Sequence, residues 1–353
     1  MRDMNGAAMK KDKLYYHIGI IATVTICTAT LMLLPVADNL YAAGNRTIEG
    51  SIAAATYVDE NAAEDYWHLA RVSVPETRII TAGNEKIIIA VLDTGIDASH
   101  PVLQDKILNE INLSASADAA DHNGHGTHVA GVIAGGFTEF GFANGIAYDC
   151  RLLNVKVAND DGTVETKALV EGIYWAVDNG ADVINISLTL YNHSDTLEQA
   201  VAYAWENGAL VIAAAGNRYC CRSAYPAMYP NVMAVAATDT TDNIAAYSNY
   251  DAWVDVSAPG AAIISSTIEN GYASMTGTSM ATSLVSGEAA LLYTLAVDTN
   301  HNGRVNDEVS SAILRSCEII DEQNSTVELI NVAGAIDALM APYHYLLQSF
   351  QYR

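Results

Sequence analysis

One alternation constrains this chain more than anything else: a short unbroken apolar run, a stretch of helical spacing, a glycine, then another apolar run. Residues 86–92 read Lys-Ile-Ile-Ile-Ala-Val-Leu, and 151–157, 182–187, 210–215 and 232–237 have the same character. A strand with one face in water alternates apolar and polar residues, so continuous runs predict strands covered on both faces. Helical patterns fill 165–179 and 196–207, and Gly180 and Gly208 follow them where a left-handed C-terminal cap is wanted. Repeated strand–helix units of this kind predict an α/β fold of three layers, a mainly parallel sheet between helices. Ligands of such sheets gather at the carboxyl ends of the strands, and the chemistry is sought there.

The rest of the chain sets boundaries around that domain. Seven prolines in 353 residues, with no low-complexity tract and no internal repeat, leave no material for a long linker, so one main domain is expected over residues 62–340. The beginning differs: Arg2, Lys10, Lys11 and Lys13 precede an uncharged apolar run over 18–34, and Ala42-Ala43 follows. Residues 1–43 therefore read as a signal peptide or an N-terminal membrane anchor, 44–61 as a short lead-in and 341–353 as a C-terminal tail. The expected location is secreted or extracytoplasmic. A net charge of −24 argues against nucleic acid and anionic membrane surfaces as partners, which confines membrane contact to the N-terminal segment. Nothing in the sequence speaks to oligomeric state. Cys27 lies in the apolar run, whereas Cys150, Cys220, Cys221 and Cys317 fall where disulfides are chemically permitted. Three pairings of the four stay open, the adjacent Cys220 and Cys221 are poorly placed to bond each other, and no spacing suits zinc.

Three segments place a reactive side chain at the end of an element. Asp93 closes a strand, His125 opens a helix in Gly-His-Gly-Thr-His-Val-Ala-Gly (124–131), and Ser279 opens another in Gly-Thr-Ser-Met-Ala-Thr (277–282). A serine hydroxyl attacks a carbonyl poorly until an imidazole takes its proton, and a carboxylate must hold that imidazole in the right tautomer. The block 90–97 (Ala-Val-Leu-Asp-Thr-Gly-Ile-Asp), the His-Gly-Thr-His block and the Gly-Thr-Ser-Met-Ala block resemble the three signatures of the subtilisin-like serine proteases, the subtilases, and stand in the same order.

The resemblance spans about residues 62–340 and implies a subtilisin-like fold. It makes Ser279 the nucleophile, His125 the general base and then acid, and Asp93 the orienting carboxylate. Asn217, just past a strand in Ala-Ala-Ala-Gly-Asn (213–217), matches the side-chain oxyanion donor. Ser187, Leu188 and Thr189 on one side, with Ala215 and Gly216 on the other, match the substrate-binding edges, and Ala224 the small residue that keeps the primary pocket open. The implied function is a serine endopeptidase acting on protein or peptide through an acyl-enzyme, with no cofactor required and a structural calcium allowed. The alternatives are a catalytically silent peptide-binding scaffold, or an esterase or peptide ligase using the same nucleophile.

Departures from the family pattern narrow these expectations. Ser283 and Leu284 stand where the family has proline and histidine. Thr189 and Leu190 replace two glycines of the binding edge, which suggests restricted specificity; Leu190 either lines the cleft or packs into the core. Val102 stands where relatives commonly carry an aspartate ligand for calcium. The loop 298–308 imitates an EF-hand start, with Asp298, Asn300 and Asn302 as weak metal candidates, but Val309 holds the twelfth position instead of glutamate. About twenty residues between Ala43 and Glu64 are too few for a domain-size propeptide. Asp97 is expected in a turn, His128 as a packed residue, and His100 and His122 on the surface or in turns.

Overall fold

The structure, a computed structural model, describes residues 66–137, 145–219, 223–322 and 325–351. The expected signal or anchor and the lead-in lie outside the described residues, as do Cys27, Cys220 and Cys221.

The apolar runs become strands. Strands β1 (Ile88–Asp93), β2 (Ile107–Asn112), β3 (Arg151–Lys156), β4 (Val183–Ile186), β5 (Leu210–Ala214), β6 (Val232–Thr238) and β7 (Val256–Pro259) pair in parallel. β8 (Ile263–Thr267) and β9 (Gly271–Met275) form a separate antiparallel pair. β10 (Glu318–Glu322) runs antiparallel to β11 (Ser325–Leu329), which joins β7 in parallel. The main sheet thus has the order β10-β11-β7-β6-β5-β4-β1-β3-β2, with only β10 reversed. The helices are α1 (Trp67–Arg71), α2 (Val74–Thr77), α3 (His125–Ala134), α4 (Thr166–Asp178), α5 (Asp195–Glu206), α6 (Thr278–Leu295), α7 (Asn306–Ser316) and α8 (Val332–Gln351). The last of these continues across residue 340, so the stretch assigned to a tail begins inside a helix.

Alternate side chains of the central strands feed two cores. Ile89 and Val91 of β1, with Leu210 and Ile212 of β5, join the core built with α3, α6, α7 and α8. Ala90 and Leu92, with Val211 and Ala213, join the core built with α4 and α5. This is the three-layer α/β arrangement, and it explains why the runs are mostly apolar, with Asn154, Lys156 and Asn185 as buried exceptions: both faces of the central strands leave water. Gly180 and Gly208 take φ of +81° and +87°, the left-handed conformation expected of them after α4 and α5.

Of the two settings expected for His100, the turn holds and the surface does not. His100 is fully buried: its Nε2 donates to Gly271 O (3.0 Å) and its Nδ1 accepts from Val102 N (3.3 Å). The turn that carries it folds under β9, so a position that reads as surface becomes interior. Val102 is buried beside it in the α3 core. Cys150 and Cys317 are free thiols, each pushed up to about 12 by burial.

Candidate active site

Three adjacent strands, β5, β4 and β1, end at the same edge of the sheet, and α3 and α6 begin there. The register pairs Leu92 with Ile186 and Ile186 with Ala213, so the residues just beyond, Asp93, Ser187 and Ala214, line up along that edge. The sequence order places Asp93, His125, Ser279 and Asn217 far apart; the sheet brings their carriers together.

Asp93 is fully buried, and its Oδ1 accepts both Thr94 N and His125 Nδ1, each at 2.7 Å. Donation from Nδ1 fixes the neutral imidazole with Nε2 as acceptor. The approach depends on Gly126, since a Cβ there would overlap Gly95 O and sit 3.1 Å from Asp93 Cβ. Burial opposes a charge on His125, but the Asp93 charge and hydrogen bond, and then the Asp121 charge, outweigh it and raise its basicity. A quarter of the His125 side chain reaches solvent.

Ser279 is the second residue of α6 and only 7% exposed. Its hydroxyl donates to Ser187 O (3.1 Å), while the Ser187 hydroxyl donates to Ser279 O (3.1 Å). The Ser279 hydroxyl is thus turned to a backbone carbonyl. Beneath this pair runs a chain that sequence reasoning missed: Ser286 Oγ donates to Asn185 Oδ1 (2.9 Å), and Asn185 Nδ2 donates to Ser187 Oγ (3.0 Å). A polar residue inside an apolar strand, Asn185 in Val-Ile-Asn-Ile, was the signal available. Ser283, in place of the family's proline, donates to Ser279 O (2.8 Å) and leaves α6 unbroken.

Asn217 Oδ1 accepts Thr278 N (2.9 Å) and Thr278 Oγ1 (3.0 Å). Two donors on one oxygen orient the amide, which turns Nδ2 toward Gly277, 3.2 Å from where a Cβ would lie there. With Ser279 N at the start of α6, an N–H pair can meet a negative charge developing beside the hydroxyl. Ala215 and Gly216 follow β5; Gly216 has φ +96°, and its position for a Cβ lies 3.4 Å from the Thr189 side chain, so Thr189 faces that edge. Leu188 and Leu190 instead pack partly against the α4–α5 core, and Leu190 exchanges two 2.8 Å backbone bonds with Tyr225. Of the two readings of Leu190, the structure matches the packed one. Ala224 is fully buried next to that bridge.

Other histidines and carboxylates fall outside the cluster. Asp97 makes a turn with Ser99. His122 is exposed and bonds Asp118 (3.1 Å). His128 is buried, its Nε2 shared by Ile263 O and Ala273 O, and burial lowers it to about 4. In the loop 298–308, Asp298 accepts Asn302 N and Gly303 N, while Asn300 and Asn302 both aim Nδ2 at Asp307 Oδ2 (2.5 and 3.1 Å). Two N–H donors occupy the place where a cation would need oxygens. The Val102 side chain offers no oxygen to a cation.

Residues 84–328 match the profile of the Subtilase family. The chain is 42% identical over 242 residues to a thermophilic serine proteinase of Bacillus sp. (strain AK1), a match that covers 68% of this chain and 59% of that protein. It is 42% identical over 235 residues to Subtilisin BL of Lederbergia lenta, covering 64% and 83%, and 40% identical over 223 residues to Thermitase of Thermoactinomyces vulgaris, covering 63% and 80%.

Proposed function

Since the chain belongs to the subtilase family, we propose that it is a serine endopeptidase that hydrolyses peptide bonds through an acyl-enzyme, with Ser279 as nucleophile, His125 as base and acid, and Asp93 as the carboxylate that orients it. The observation that carries this reading is the 2.7 Å bond from His125 Nδ1 to a fully buried Asp93, which leaves Nε2 as the acceptor for a proton. In the first step the Ser279 hydroxyl turns from Ser187 O, gives its proton to His125 and attacks the substrate carbonyl. Ser279 N and Asn217 Nδ2 then stabilise the oxyanion, and His125 returns the proton to the leaving amine. Reaction with a fluorophosphonate, followed by peptide mapping, tests the assignment: label on Ser279 is expected. Label elsewhere, or none, supports the silent scaffold, and turnover of esters without peptides supports the esterase.

The substrate edge argues for a restricted profile. Thr189 narrows the gap to Gly216, whereas Leu190 is engaged with Tyr225 and the core. Thr189→Gly is therefore expected to raise kcat/KM on poor peptide substrates about threefold more than on good ones, with little change in stability. Leu190→Gly is expected to cost about 1–3 kcal/mol and leave the preference profile alone. A peptide-mixture cleavage profile and urea unfolding check both; a profile unmoved by Thr189→Gly removes Thr189 from the cleft.

The enzyme is proposed to work without a cofactor. Because the 298–308 loop closes on its own hydrogen bonds, EGTA is expected to leave the melting temperature unchanged. A drop that disappears in Asp298→Ala would place a structural calcium in that loop. Export is inferred from the apolar run 18–34; among the described residues no helix is long and apolar enough to cross a membrane.

A further inference from the structure

We propose that Asp121 is a positioning residue for the Asp93–His125 pair: it braces the strand end carrying Asp93 against the helix carrying His125, and it places a second negative charge behind the imidazole. The proposal rests on the triad reading above.

Asp121 is 5% exposed and receives five hydrogen bonds. Its Oδ1 accepts Thr94 Oγ1, Asn123 N and Gly124 N, each at 2.9 Å, and its Oδ2 accepts Thr127 N (2.9 Å) and Thr127 Oγ1 (2.7 Å). A carboxylate only accepts, so the Thr94 hydroxyl donates to Asp121 and keeps its lone pairs for Gly126 N, which donates to it at 3.0 Å. Thr94 follows Asp93 and Gly126 follows His125. The brace Asp121–Thr94–Gly126 thus grips the chain one residue beyond each member of the pair, and a shift of β1 against α3 must break it.

Charge adds to geometry. His125 is the first residue of α3, where the unpaired N–H groups and the helix dipole disfavour an imidazolium. Asp121 takes up two of those N–H groups, at Gly124 and Thr127, and offsets the dipole. Among the described residues no ion pair includes Asp121. Lys156, fully buried on β3, donates to Thr94 O, Ala120 O and Asp160 instead. The other groups acting on His125 are Asp93 from β1, and His128 from α3, which burial holds neutral; β8 and β9 contribute the carbonyls that hold His128, and His68 of α1 is buried and lowered to about 3. The negative charges that favour protonated His125 are then Asp93 and Asp121.

Two variants separate brace from charge. Asp121→Asn keeps size and removes the charge, which makes His125 less basic and frees its Nε2 at lower pH. The acid limb of the kcat/KM profile is expected to move to lower pH. At the pH where the parent retains a tenth of its plateau rate, the variant is expected to retain about threefold more of its own. Thr94→Val keeps the charge and cuts the brace: kcat is expected to fall about tenfold or more, with KM within about threefold and the acid limb in place. An unmoved limb in Asp121→Asn, whatever its plateau, overturns the charge role, and a parental kcat in Thr94→Val overturns the brace. Should Asp121→Asn fail to fold, Thr94→Val decides alone. Ser279→Ala keeps the two levels apart: an inactive Ser279→Ala protein beside an unmoved limb refutes the role of Asp121 only, whereas an active one refutes the triad beneath it.

Discussion

Ser279→Ala is expected to lower peptide hydrolysis by more than about 10³-fold while leaving the protein folded. The loss is large because the neighbouring hydroxyls are engaged elsewhere: Thr278 Oγ1 donates to Asn217 Oδ1, and Ser187 and Ser283 both donate to Ser279 O. What survives is the contribution of the oxyanion donors and of substrate binding, which the subtilase family itself shows to persist without a nucleophile. Folding survives because the Ser279 hydroxyl makes one hydrogen bond, to Ser187 O, worth about 0.5–1.5 kcal/mol. The buried chain Ser286–Asn185–Ser187 ends on the Ser279 carbonyl and does not need the hydroxyl. Single-turnover hydrolysis of a peptide substrate, with circular dichroism of the same sample, checks both halves. Residual turnover above a thousandth of the parent's would exclude Ser279 as nucleophile.

The second large effect concerns stability against pH. Glu288, in the middle of α6, is fully buried with no hydrogen-bond partner for either oxygen among the described residues, and burial pushes its carboxyl from 4.5 up to about 8. The folded state thus keeps a proton that the unfolded chain releases above about 4.5. The stability contributed by neutral Glu288 is therefore fully present below about 4.5 and is lost as pH rises through about 8. The full loss is roughly 3–5 kcal/mol, since each unit of difference corresponds to about 1.4 kcal/mol. Glu288→Gln holds the shape and removes the titration. In a Ser279→Ala background, which prevents self-digestion, Glu288→Gln should match its parent at pH 5 and melt about 5–15 °C higher at pH 8.5. Equal differences at the two pH values would mean that Glu288 has an internal partner.

The legible part of this chain was whatever local sequence determines. Unbroken apolar runs gave the buried parallel strands, glycines after helical stretches marked helix ends, and three short blocks at element termini pointed to Asp93, His125 and Ser279. Long-range packing was not legible. His100 reads as a turn residue, and only the fold of β9 over it makes it interior. Leu190 could face either way until its backbone pairing with Tyr225, 35 residues on, was known. Asn185 and Ser286 lie 101 residues apart and meet only because α6 crosses the end of β4. Asp121 stands four residues before His125, yet its link to Thr94 depends on how β1 meets α3.

All eighteen residues of α6, from Thr278 to Leu295, are buried. A helix with no solvent face cannot fray or slide by itself, because any displacement opens the core on several sides at once. Its amide hydrogens should then exchange with deuterium only when the whole domain opens, as slowly as those of β4 and β5. Ser279, the proposed nucleophile, would then be fastened to the part of the described fold that opens last. For a protease that meets other copies of itself, this places the first accessible cleavage points in peripheral loops and ties the working lifetime of Ser279 to the global unfolding rate.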